Sequence, residues 1–140
     1  MTDIQKELKR ITDENNGILL PERVVEEAKV ETSPLHDSFN WDNTDAAQKY
    51  RVHQARNLIR CTVVYEERTE KYIKTFVSLS SDRDNGGGYR EVIIVLKDTD
   101  KKAEMLADAL SELQAFQNKY NSLVELCEVF DAIRQLETIG

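Results

Sequence analysis

Lys49, His53, Arg56 and Arg60 recur at spacings of three and four residues. On a helix turning about 100° per residue they fall within roughly 40° of one another, a basic stripe along one face. Cations in such a row suit phosphate recognition, because a guanidinium fork matches paired phosphate oxygens and each contact releases a condensed counterion. No acidic residue lies between Asp45 and Glu66, although the 140-residue chain carries a formal net charge of -7 and a pI near 4.9. Gln48, Gln54 and Asn57 add polar readers along the same stretch, and Arg83 and Arg90 supply two more cations downstream. The competing use of the stripe is internal, balancing acids such as Glu22, Glu26 and Glu27 or those of the C-terminal segment. The acidic balance excludes indiscriminate coating of nucleic acid and leaves room for a local basic site.

Arg51 belongs to the other side of that helix, among Ala47, Ala55 and Leu58. A guanidinium on a packing face needs a partner, so a structural ion pair with Asp42, Asp45 or a carboxylate of the C-terminal segment is expected, covered by Trp41 or Tyr50. No catalytic set emerges. His36, Asp37, Asp42, Asp45 and His53 match no metal-ligand spacing, no GxSxG elbow accompanies the serines, and residues 85–88 lack the Lys-Ser/Thr of a phosphate loop. The expectation is therefore no enzyme, no metal and no cofactor.

The elements that must position these residues follow from periodicity. Ile4, Leu8 and Ile11 form one stripe of an opening helix, stopped by Asn15, Asn16 and Gly17. Pro21 suits the first turn of a second helix over residues 21–29, with Val24, Val25 and Ala28 inward. Ser33 and Pro34 start a short helix over residues 35–38, Phe39 and Trp41 are apolar anchors, and Asp42, Asn43 or Thr44 caps the helix of residues 43–60. Residues 61–66 and 72–80 alternate as strands, residues 82–88 read as a flexible hairpin loop, and the continuous apolar run of residues 92–96 reads as a third strand. Short connections let the three form an antiparallel meander. From Thr99 to Leu136 neither Pro nor Gly interrupts apolar residues spaced by three or four, so a long helix or a helical hairpin is expected. Phe116, Tyr120, Leu123, Cys127 and Phe130 on its stripe are candidates for a homodimer contact.

The fold class is thus α+β in one domain: an N-terminal helix to residue 16, a helix-turn-helix-like part over 17–60, a β-meander over 61–97 and C-terminal helix over 99–137. No apolar run approaches the roughly 18 residues of a membrane span, and the N-terminus has no apolar signal core. Cys61 and Cys127 are expected as buried free thiols in a cytoplasmic protein.

Leu20-Pro21-Glu22 with Val24-Val25, Ser33-Pro34-Leu35-His36, Phe39-Asn40-Trp41-Asp42, Ala46-Ala47 with Tyr50-Arg51, and Ala55-Arg56 with Leu58-Ile59-Arg60 resemble a class of small phage and prophage proteins without established activity. The likeness covers about residues 17–65, and this chain departs from it in its N-terminal helix and at Asn40. It implies a mobile-element origin, a host-cell cytoplasmic location and a small accessory role, and it carries over no site residue. Helix order followed by a hairpin has the outline of a winged helix-turn-helix, whose third helix enters the major groove. Asp42 and Asp45 at the start of that helix oppose groove entry by its N-terminal turns. The expected function is non-enzymatic binding of nucleic acid or a nucleoprotein through the basic face; the alternative is an acidic inhibitor or adaptor of a host or phage protein. Neither expects a membrane partner.

Overall fold

Thr2 and Gln5 form a reciprocal capping box that starts α1 (Asp3–Glu14) in the computed structural model, which describes residues 2–42 and 44–139. The chain divides into two compact units, Met1–Val95 and Leu96–Gly140.

In the first unit α1 buries Leu8, Ile11 and Thr12, and the Thr12 hydroxyl is satisfied by the Leu8 carbonyl at 2.7 Å. The helix ends where Asn16 and Gly17 take positive φ, conformations that cost little for those residue types. Pro21 opens α2 (Pro21–Ala28), which turns Val24, Val25 and Ala28 inward. A 3-10 turn, His36–Ser38, follows. The basic helix is α3 (Asp45–Cys61); Thr44 caps it, its side chain accepting from the Ala47 amide. Asn43, another candidate cap, lies outside the described residues. α3 buries Ala47, Arg51, Ala55 and Ile59 at a strict spacing of four, and the small alanines let α2 pack closely against it. Leu8, Ile11, Leu19, Val24, Leu35, Phe39, Ile59 and Phe76 join the two helices and α1 into one core. Arg10 ties α1 to α2 by pairing with Glu7, Glu14 at 2.9 Å and Glu27 at 3.0 Å. Its hydrogen bond holds the Glu7 carboxyl below the ordinary carboxylate range.

The α+β class is present, but the three-stranded meander is not. β1 (Val63–Glu66) pairs antiparallel with β2 (Lys71–Lys74), and β3 (Phe76–Val77) pairs antiparallel with β4 (Arg90–Glu91), as two separate two-stranded sheets. Thr75 is the pivot: its amide donates to Thr62 at 3.0 Å, and its carbonyl accepts from Val92 at 2.8 Å. The expected strand over 72–80 therefore changes partner midway. Part of the expected loop is a short helix, α4 (Ser80–Asp84).

The expected strand over 92–96 is corrected to α5 (Val92–Lys97). Val92 and Val95 are buried while Ile93 and Ile94 are exposed, an i, i+3 pattern that suits a helical turn. Side-chain burial here overrides the β-propensity of a Val/Ile run.

The second unit is a helical hairpin. α6 (Thr99–Tyr120) is capped by Asp98, which accepts from two amides, and residues 121–126 turn the chain into α7 (Cys127–Ile139). Gln114 bonds Glu137 at 3.0 Å, and the rings of Phe116 and Phe130 stand 6.2 Å apart. Among the described residues no helix is long and apolar enough to cross a membrane. Cys61 and Cys127 are free but exposed, contrary to the expected burial: Cys61 ends α3 rather than lying in a strand.

Candidate functional site

The C-terminal half of the basic stripe is brought to a cleft. Arg56 and Arg60, one turn apart on α3, line a hollow of about 370 Å³ together with Arg83, Ser78, Gly86, Gly87, Gly88, Tyr89, Pro21 and Glu22. Its volume is that of a small-molecule site rather than a surface dimple. Among the described residues the lining holds three guanidiniums and one carboxylate, that of Glu22. Among the described residues, the side chains of Arg56 and Arg60 take no ion pair or hydrogen bond, so their donors are open to a ligand. Arg83 is set in place by its own bond to the Ser78 carbonyl at 2.6 Å, which uses one of its five donors.

The wall opposite α3 is held by two devices. Leu19 and Tyr89 exchange both backbone hydrogen bonds, at 2.8 and 2.9 Å, which fixes the glycine loop beside the entry to α2. Gly88 makes that approach feasible, since a Cβ there would stand 2.7 Å from Ile18 Cγ2 and its φ is +118°. Asp82 supplies the second device. Its carbonyl accepts from the Asn85 and Gly87 amides, and its carboxylate takes Arg90 bidentately at 2.7 and 2.9 Å. Arg90, expected to face phosphate, is engaged by Asp82 and is not among the residues lining the cleft. Of the residues reading as a flexible tip, Arg83, Gly86, Gly87 and Gly88 line the cleft. Three consecutive glycines, more than a hairpin tip requires, were the signal in the sequence.

Lys49 and His53 are exposed farther along α3 and do not line the cleft; Lys49 stands roughly 16 Å up the axis from Arg60. The His53 ring lies 6.0 Å from that of Tyr50. Gln54 accepts from the Asn40 amide at 3.2 Å, a supporting bond for the loop before α3.

Arg51 is 6% exposed, as its place on the wheel demands, but its partners differ from those expected. Its Nε donates to the Asn40 carbonyl at 2.7 Å and a terminal nitrogen to the Asp42 carbonyl, while the guanidinium carbon lies 4.9 Å from the centre of the Trp41 ring. Among the described residues no ion pair joins it to the Asp42 or Asp45 carboxylates. The chain turns there, and a planar fork satisfies two converging carbonyls without neutralisation. Trp41 also stacks on His36 at 4.9 Å and donates to its carbonyl at 2.7 Å. The His36 Nδ1 lies 2.8 Å from the Ala28 carbonyl, so that nitrogen carries the proton.

Of the apolar residues expected to pair two chains, Phe130 is buried, while Phe116, Leu123 and Cys127 are exposed and Tyr120 is half-buried. Among the described residues no group of three or more His, Cys, Asp or Glu side chains is placed to hold a metal ion. Compared with protein-family models, curated proteins and solved structures, the chain gives no match in any of the three.

Proposed function

We propose that this is a non-enzymatic binding protein for nucleic acid or a nucleoprotein, which engages phosphate through the basic face of α3 and the adjoining cleft. The observation that carries this reading is the gathering of Arg56, Arg60 and Arg83 around one hollow, with the side chains of the first two unpaired among the described residues. Lys49 extends the positive surface along the helix axis, and the His53 ring adds a polar group between it and Arg56. The resemblance to phage and prophage proteins supports an accessory role in a host cytoplasm. Asp45 in the first turn of α3 disfavours insertion of its N-terminus into a major groove, so contact runs along the helix side and into the cleft.

Binding to mixed-sequence DNA and RNA, followed by fluorescence anisotropy from low to moderate salt, tests the reading. Affinity should fall steeply with salt, and Arg56→Glu with Arg60→Glu should reduce it by about a hundredfold or more. Affinity unaffected by the double variant would remove the arginine cleft from the interface.

A second reading, an acidic adaptor or inhibitor of a host or phage protein, is favoured by one feature. α6 buries none of its 22 residues and leaves Leu106 57% and Phe116 39% exposed, apolar surface along its stripe such as protein contacts use. Under the leading reading the same stripe pairs two copies of the chain. Absence of nucleic-acid binding at low salt, with a protein captured from host lysate, would favour the adaptor.

A further inference from the structure

We infer that the nucleic acid engaged is single-stranded, with phosphate in the arginine cleft and bases stacked on the tyrosine pair of the β1–β2 hairpin. The inference rests on the nucleic-acid reading above and narrows it. Tyr65 and Tyr72 stand directly opposite each other in the ladder, and their rings meet edge to face at 5.4 Å. They are 48% and 73% exposed. An aromatic pair this open stabilises the hairpin little by burial, yet it presents π surface on which any base can stack.

The same hairpin face carries a lysine that reaches the end of α3. Side chains two residues apart on a strand share a face, so Lys74 lies on the face of Tyr72, about 7 Å along the strand. Lys74 reaches back to the Arg60 carbonyl, its Nζ donating at 2.6 Å. The tyrosine platform is therefore linked through Lys74 to Arg60, whose residue also lines the cleft. Cationic groove and stacking aromatics together are the elements by which proteins hold single strands. A duplex buries its base faces in its own stack and offers the tyrosines nothing to stack on. Its continuous phosphate ridge also suits an open, basic helix face better than a hollow walled by Gly88 and Tyr89. Glu22, the acid among the described residues of the cleft, accepts hydrogen bonds from sugar hydroxyls or exocyclic amines, which a nucleotide offers and a bare phosphate does not.

Anisotropy titrations at low salt with three labelled probes decide it: a mixed-sequence single strand, the same sequence as a duplex, and an abasic strand of equal length. The single strand should bind about tenfold or more tighter than both others. Tyr72→Ala should erase that advantage and Tyr72→Phe retain it, with thermal melts of both variants checking the fold. Arg60→Gln should weaken all three probes together. Equal or tighter duplex binding, or an unaffected Tyr72→Ala, overturns the single-strand inference and leaves the nucleic-acid reading standing. No binding by any probe overturns both.

Discussion

Arg90 grips Asp82 through two nitrogens, at 2.7 and 2.9 Å, and so clamps the start of β4 to α4 across the glycine loop. The Asp82 side chain is nearly buried and that of Arg90 only a quarter exposed, so the pair is shielded from solvent screening. Because the Asp82 carbonyl also accepts from the Asn85 and Gly87 amides, one residue organises both the helix and the wall of the cleft.

Breaking this clamp should destabilise the first unit. Asp82→Asn or Arg90→Gln is expected to cost about 1–3 kcal/mol in urea unfolding, since each removes one half of a shielded, bidentate pair. A double-mutant cycle should then return a coupling of at least about 1 kcal/mol. Strict additivity of the two changes would show that the clamp contributes nothing.

Gly88 and Gly86 separate steric need from conformational preference. Both have positive φ, but a Cβ at Gly86 meets nothing within 4 Å, whereas at Gly88 it meets Ile18 Cγ2 at 2.7 Å and Leu20 Cδ2 at 3.2 Å. The Ile18 methyl sits on a β-branched carbon and yields poorly. Gly88→Ala should therefore cost at least about 1 kcal/mol more than Gly86→Ala, and should weaken binding at the cleft by displacing its wall. Equal unfolding midpoints for the two variants would contradict that placement.

The helical half of the first unit was legible because its signals are local. Pro21 at a first turn, Thr44 among the candidate caps and apolar residues at three-and-four spacing correspond to the observed α2 and α3. The sheets were not, because pairing depends on partners distant in sequence. Nothing around Thr75 marks the point at which a continuous alternation leaves β1 for β4. The apolar run at 92–96 fits strand and helix templates alike, and only the burial of Val92 and Val95 separates them. Composition showed that Arg83 and Arg90 were cations, not which of them Asp82 would claim.

Arg51 offers a sharper stability test than an ion pair would. Arg51→Met keeps the packing against Trp41 but leaves the Asn40 and Asp42 carbonyls without their donors, at a cost of about 2–4 kcal/mol. Arg51→Glu should cost more, because it brings a carboxylate against two acceptors at a site that is 6% exposed. Denaturant melts of the two variants should differ by about 2 kcal/mol; coincident curves would place the guanidinium outside the fold's energetics.

The C-terminal hairpin separates intrachain packing from self-association. Phe130 is 5% exposed and faces Phe116, whereas Leu106 is 57% exposed on a helix with no buried residue. Phe130→Ala should open a cavity and destabilise the hairpin by about 3 kcal/mol, seen as lost helical signal on mild heating. Leu106→Lys should leave that melting unchanged, because it removes no buried contact. If two copies pair through the exposed stripe, light scattering should show the wild-type mass at twice the chain mass and the Leu106→Lys mass near one chain at micromolar concentration. A wild-type chain that scatters as a monomer would refute self-association and leave the stripe to a different protein. A dimer insensitive to Leu106→Lys would move the contact away from the Leu106 end of α6.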